Sequence, residues 1–159
     1  MISLGLALLS LQQVVPLDIN IRGEVQAIFE GRLGYLTEAE SVTGVDANGD
    51  GDTADSILFV YQLGSGRRAS TGLAVSLLED NQRNKALLPM GPNRTVLCLV
   101  SEPSQGGLDL NGDGDADDLV LTLFRPGRDA VNVGLACDRD RRWGMMLPDG
   151  RAGVVVSEA

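Results

Sequence analysis

Two segments carry oxygen-bearing side chains at one repeated spacing: DANGDGDTAD (Asp46 to Asp55) and DLNGDGDADD (Asp109 to Asp118). Positions 1, 3, 5, 7 and 10 are Asp46, Asn48, Asp50, Asp52 and Asp55 in the first copy, and Asp109, Asn111, Asp113, Asp115 and Asp118 in the second. Glycines occupy positions 4 and 6 of both. Hard oxygen donors alternating around a glycine-supplied turn suit Ca²⁺, which takes six to eight oxygens in a flexible cage. Asn-Gly and Asp-Gly are also ordinary turn signals. A solvated turn accounts for the glycines but not for the phase recurring twice, so two calcium sites are expected. Asp46, Asn48 and Asp50 would each give one side-chain oxygen, Asp52 a carbonyl or carboxylate oxygen, and Asp55 would close the cage. The second set repeats those roles. Asp117, whose counterpart is Ala54, is expected to be solvated.

The charge balance agrees. Nine of the 22 acidic residues lie in these segments, and the remaining 13 equal the 13 Lys plus Arg, so the net charge of −9 resides in the two loops. Carboxylates ~5 Å apart repel by about 3 kcal/mol per pair at an effective dielectric near 20. Loops this acidic are expected to be ordered by a cation.

The chain has no His, which excludes His-based acid–base and nucleophilic catalysis and most zinc or facial-triad iron sites. The acidic balance argues against a nucleic-acid partner. Cys98 and Cys137 each sit in an apolar run, where a buried thiol is expected rather than a disulfide or a nucleophile. The apolar opening (MISLGLALLSLQQVVP) lacks a basic n-region and an Ala-x-Ala-like cleavage site. It is also too short and polar-interrupted to insert in a membrane.

The elements around the loops repeat as well. The loops are 63 residues apart; Gly5, Gly72 and Gly134 mark a Gly-Leu-Ala repeat, and Glu38, Glu102 and Glu158 mark strand ends. Fixed-period similarity signals a repeat array. Residues 1–24 read as the end of a preceding repeat, 25–85 as the first unit, 86–142 as the second, and 143–159 as the start of a third. Short Val-, Leu- and Ile-rich runs bounded by Gly, Pro, Asp and Asn read as strands. In the second unit they cover roughly Ala86 to Pro89, Thr95 to Glu102, Leu119 to Phe124 and Val131 to Cys137, followed by Trp143 to Leu147 and Ala152 to Ser157. Unbroken apolar stretches suggest strands covered on both faces. Helix is admitted only at the Leu-rich start and at Leu77 to Asn84.

The expected class is all-β: tandem four-stranded antiparallel repeats resembling β-propeller blades, about two and a half of them in an incomplete ring, with a β-solenoid or an open stack of hairpins as alternatives. LPDGRAGVVVSEA (Leu147 to Ala159), with Trp143 before the turn, resembles the Pro-Asp-Gly turn and following strand of TolB-type blades. LVLTLFRPGRDAVNVGLAC resembles the next hairpin. The other units depart from it, with Glu30-Gly31-Arg32 and Met90 to Asn93 at the turn. The acidic loops resemble the DxNxDG calcium loops of integrin-α-type propellers, where the closing Asp stands at position 9 rather than 10.

These resemblances imply a non-enzymatic, calcium-binding structural or interaction module of a secreted, cell-surface or periplasmic repeat protein. Its partners would be calcium, a protein or glycan at the cell surface, or further copies joined through unpaired terminal strands. The alternatives are the propeller part of a secreted enzyme and a subunit of an extracellular filament. Glu38 and Glu102 are expected to pair with Arg or cap a turn rather than ligate, and Arg67, Arg68, Arg141 and Arg142 to be solvated.

Overall fold

The computed structural model describes residues 23–29, 32–62, 64–76, 87–90, 94–137, 144–146 and 151–157. It is all-β and antiparallel. The first four-stranded sheet comprises β1 (Gly23–Phe29), β2 (Leu33–Ala39), β3 (Ser56–Gln62) and β4 (Arg67–Ala74), in that order. The second repeats the order with β5 (Leu87–Met90), β6 (Thr95–Ser101), β7 (Leu119–Phe124) and β8 (Val131–Ala136). A hairpin of β9 (Gly144–Met146) and β10 (Ala152–Val154) follows. Each sheet is a meander in which sequence neighbours pair, as short connections between antiparallel strands require. Among the described residues no closed ring forms. The only helical pieces there are a single turn, α1 (Glu40–Thr43), and a 3-10 turn at Pro103–Gln105. No described helix is long and apolar enough to cross a membrane. The two stretches where helix was admitted lie outside the described residues.

Strand β6 shows why the apolar runs are unbroken. Val96, Cys98 and Val100 face one core with Tyr35 of β2, Leu58 of β3, Val75 and Phe124. Leu97 and Leu99 face the other way, into a cluster with Leu119, Leu121, Cys137 and Val154 of β10. Successive strand side chains point to opposite faces, so a strand sandwiched between two layers must be apolar at every position. The sheets thus share a core along their faces. Isolated bridges join successive units: Val75, just after β4, pairs with Val100 of β6, and Cys137, just after β8, pairs with Val156 in the corresponding place. The Tyr35 ring meets Phe124 edge-on at 6.2 Å, and its hydroxyl donates to the Arg94 carbonyl at 2.6 Å.

Two of the Gly-Leu-Ala marks, Gly72 and Gly134, have a structural cause, and Gly5 lies outside the described residues. Pairing of β3 with β4 shifts between Ile57 and Phe59, and pairing of β7 with β8 shifts between Val120 and Thr122. Gly72 and Gly134 supply the positive φ, 71° in both, that these bulges require. Each bulge turns a side chain toward the acidic loop beside it. Ser70 Oγ donates to the Ala47 carbonyl at 3.0 Å, and Asn132 Nδ2 donates to the Leu110 carbonyl.

Both cysteines are free and buried. Burial pushes the Cys98 thiol up to about 12 and the Cys137 thiol up to about 11. Because the folded state holds these protons more tightly, their contribution is intact below the unfolded thiol value near 8.5 and is lost as pH rises toward 12. Iodoacetamide at pH 8 should modify the native thiols far more slowly than the urea-unfolded ones. The urea midpoint should fall between pH 9 and 11, and less steeply in Cys98→Val.

Candidate metal centre

Each acidic loop joins the second strand of a sheet to the third. Its backbone is folded by its own side chains. In the first loop the Asp46 carboxylate accepts the Gly49 and Gly51 N–H groups at 2.6 and 3.0 Å. Asn48 Oδ1, Asp50 Oδ1 and Asp52 Oδ1 then accept the N–H groups of Asp50, Asp52 and Ala54 at 3.4, 3.1 and 2.8 Å. The second loop repeats this: Asp109 takes Gly112 and Gly114 at 2.6 and 3.1 Å. Asn111, Asp113 and Asp115 take the N–H groups two residues on, at 3.2, 3.2 and 3.3 Å. The alternation of oxygen side chains is therefore also an alternation of backbone caps.

A glutamate not expected as a ligand sits at the base of the first loop. Glu40, Asp52 and Asp55 bring carboxylate oxygens within 4.8 Å of one another, as do Glu102, Asp115 and Asp118. Glu40 and Glu102 are 1% and 0% exposed, so these carboxylates are structural centres rather than surface charge. Their backbone N–H groups close the loops on the Asp55 and Asp118 carbonyls at 2.8 and 3.0 Å. Glu40 Oε1 accepts the Ala47 N–H. Glu102 Oε1 accepts Leu110 N–H at 2.6 Å, and its Oε2 accepts Asp118 N–H at 2.9 Å.

The structural counterpart of Glu102 is Glu40, and the alignment of Glu38 with Glu102 is corrected. Glu40 precedes Asp46 by six residues whereas Glu102 precedes Asp109 by seven, so counting back from the loops mispairs them. The shared Glu-x-x-x-Gly pattern was the available signal. Gly44 and Gly106 end the turns that follow Glu40 and Glu102 in the left-handed conformation. Glu38 instead pairs with Arg68, as expected of it. Arg68 is accordingly not merely solvated; its guanidinium lies 5.3 Å from the Phe59 ring centre. Glu102 caps backbone N–H groups, as expected, and also enters a carboxylate cluster. Arg67 is exposed, and Arg141 and Arg142 lie outside the described residues.

Of the ten expected ligands, Asp52, Asp55, Asp115 and Asp118 lie in the clusters. Asp50 and Asp113 lie beside them, taking the Asn48 and Asn111 amides at 3.2 and 2.9 Å. Asp46 and Asp109 are engaged by the glycine N–H groups at the loop start. Asp117 is exposed.

Electrostatics set the closing residues apart from Asp50 and Asp113. Burial pushes the Asp55 carboxyl above the usual carboxylate range; hydrogen bonding from Ser104 opposes this, and the Asp50 and Asp52 charges add to it. Burial likewise raises Asp118, opposed by the Asn111 amide and reinforced by Asp113 and Asp115. Asp50 and Asp113 are held below that range, chiefly by the Asp52 and Asp115 backbone N–H groups. No cluster carboxylate has a basic partner among the described residues. Glu40 Oε2 and Asp55 Oδ2 are buried with no hydrogen-bond partner. Two such oxygens beside a third carboxylate fit a cation, since burying unpaired anionic oxygens is otherwise costly.

No protein-family model matches the chain, and no curated protein or solved structure matches it. The all-oxygen donor set is thus the guide to the chemistry. Glu40→Gln should weaken metal binding at the first loop by roughly tenfold or more, because ligand charge count sets affinity in such cages. Glu38→Gln should leave it near the parental value. Terbium luminescence titration of the two variants compares them directly.

Proposed function

We propose that this chain is a calcium-binding structural and interaction module of a secreted or cell-surface repeat protein, its sheets set as propeller-like blades and its ions stiffening the loops between strands. The observation that carries this reading is the Glu40–Asp52–Asp55 group, with two buried carboxylate oxygens that no protein donor satisfies. Its outline recurs at Glu102, Asp115 and Asp118. Carboxylate and amide oxygens favour a hard cation. Several carboxylates on a glycine-rich loop favour Ca²⁺ over Mg²⁺, which demands octahedral geometry and keeps its waters.

The meander order and the two-faced core of β6 support the blade reading, because blades stack sheet on sheet around a ring. A task in stability follows from linkage. Ligand at 100 times its dissociation constant adds about 2.7 kcal/mol per site, a large share of the 5–15 kcal/mol typical of a domain. Extracellular calcium sites work with dissociation constants of roughly 10⁻⁴–10⁻³ M, so even weak sites would be substantially filled outside the cell.

Calorimetric titration should give two calcium ions per chain, with Mg²⁺ a poor substitute. Asp50→Ala and Asp113→Ala should each remove one site. Chelation should lower the melting temperature and speed hydrogen exchange first across Asp46 to Leu58 and Asp109 to Val120, with added salt recovering part of the loss by screening. A titration without calcium-specific heat, or exchange in both segments indifferent to chelator, would defeat the proposal.

A further inference from the structure

The two loops are alike in backbone but not in surroundings. The 3-10 turn Pro103–Gln105, which follows β6, reaches back to the first sheet. Gln105 Oε1 accepts the Ala74 N–H at 2.9 Å, and its Nε2 donates to the Gly72 carbonyl at 2.9 Å, completing the β4 edge at its bulge. The Ser104 carbonyl accepts Asn48 Nδ2 at 2.8 Å. A Cβ built on Gly106 would stand 3.1 Å from Asp50 Cβ, so this backbone rests directly on the loop.

The consequence appears in the asparagines. Asn111 Nδ2 donates to Asp113 Oδ2 and to Asp118 Oδ2, both at 2.9 Å, so the closing carboxylate of the second loop is occupied by its own loop. Asn48 Nδ2 is drawn to the Ser104 carbonyl instead, and Asp55 Oδ2 keeps no partner. A residue of the second sheet's connection thereby holds a buried oxygen of the first loop open.

We propose that the turn Pro103–Gln105 positions the first metal site through the Ser104 backbone carbonyl, and that ion binding there is coupled to the docking of the second sheet on the first, whereas the second site is filled without that help. The inference rests on the calcium reading given above. Coupling of this kind is reciprocal: what the docked turn adds to ion affinity, the ion adds to docking.

The test uses the full chain with one site removed at a time. In an Asp113→Ala background, where the first site alone remains, Gln105→Ala, which removes the clasp that seats this turn on β4, should weaken calcium binding by roughly tenfold, the lower range for a partner that orients a ligand. In an Asp50→Ala background, Gln105→Ala should leave the second site unchanged. Gly106→Ala and Gly107→Ala impose similar backbone strain, at φ 76° and 68°, but only a side chain at 106 meets Asp50. The first should therefore weaken the first site more than the second does, which keeps a readout if the Gln105 variant folds poorly. In the reverse direction, Asp50→Ala should raise hydrogen exchange across Gly72 to Ser76, and Asp113→Ala should not.

Calcium binding in both backgrounds, with Gln105→Ala affecting neither site or both equally, would overturn the coupling alone. No calcium binding in either background would overturn the calcium reading and the coupling with it.

Discussion

Everything about the acidic loops follows from a carboxylate buried at the end of the second strand of each sheet. A charged side chain with almost no exposure must be hydrogen-bonded or paired with opposite charge. Glu102 meets part of that need with backbone N–H groups from both ends of its loop. Glu40 meets less of it, taking one N–H through Oε1 and leaving Oε2 without a partner. Each carboxylate pulls the loop back over itself, and that folding brings the aspartates at positions 7 and 10 against it. Packing like charges together is costly at any reasonable interior dielectric. The arrangement therefore makes sense as one half of an ionic interaction whose other half is a cation.

The sheets hold those glutamates in place by the simplest available means. β6 is buried on both faces, so its end cannot shift without disturbing two cores at once. Replacing a buried Leu with Ala in such a strand typically costs 2–5 kcal/mol. A loop anchored at this point inherits the rigidity of the strand. The bulges at Gly72 and Gly134 work from the other side, bringing Ser70 and Asn132 onto loop carbonyls. Each loop is thus clamped between a strand end and a strand bulge, and the rest of it is free to close on an ion.

Much of this was legible in the residues. Strand positions followed from short apolar runs and turn residues: β7 coincides with its expected span, and β8 ends one residue early, at Ala136, with Cys137 left as an isolated bridge. The two-faced burial of β6 could be read from VLCLV, since alternation vanishes when both faces are covered. Glu40 was missed because a one-residue difference between units defeats counting by period; only the Glu-x-x-x-Gly pattern survives it. The pairing of Arg68 with Glu38 joins non-adjacent strands, β4 and β2, of one sheet, a distance no local pattern encodes. Ser104 was beyond reach for a stronger reason. Its role lies between sheets, and periodicity within a unit carries no information about which atoms of the next unit will touch it.

A contact between units also changes how a repeat array distributes stability. In such arrays the total approximates intrinsic unit energies plus nearest-neighbour interfaces. A metal site contained in one unit would change only the intrinsic part. A site completed by the following unit changes the interface, and so the cooperativity along the array. The Asn48–Ser104 contact and the Gln105 clasp place the first loop in the second category. The second loop, whose asparagine turns inward to Asp118, stands in the first. Two segments with the same phase of oxygen side chains and glycines therefore carry different physical duties, and the difference is set by a neighbour rather than by the loop itself.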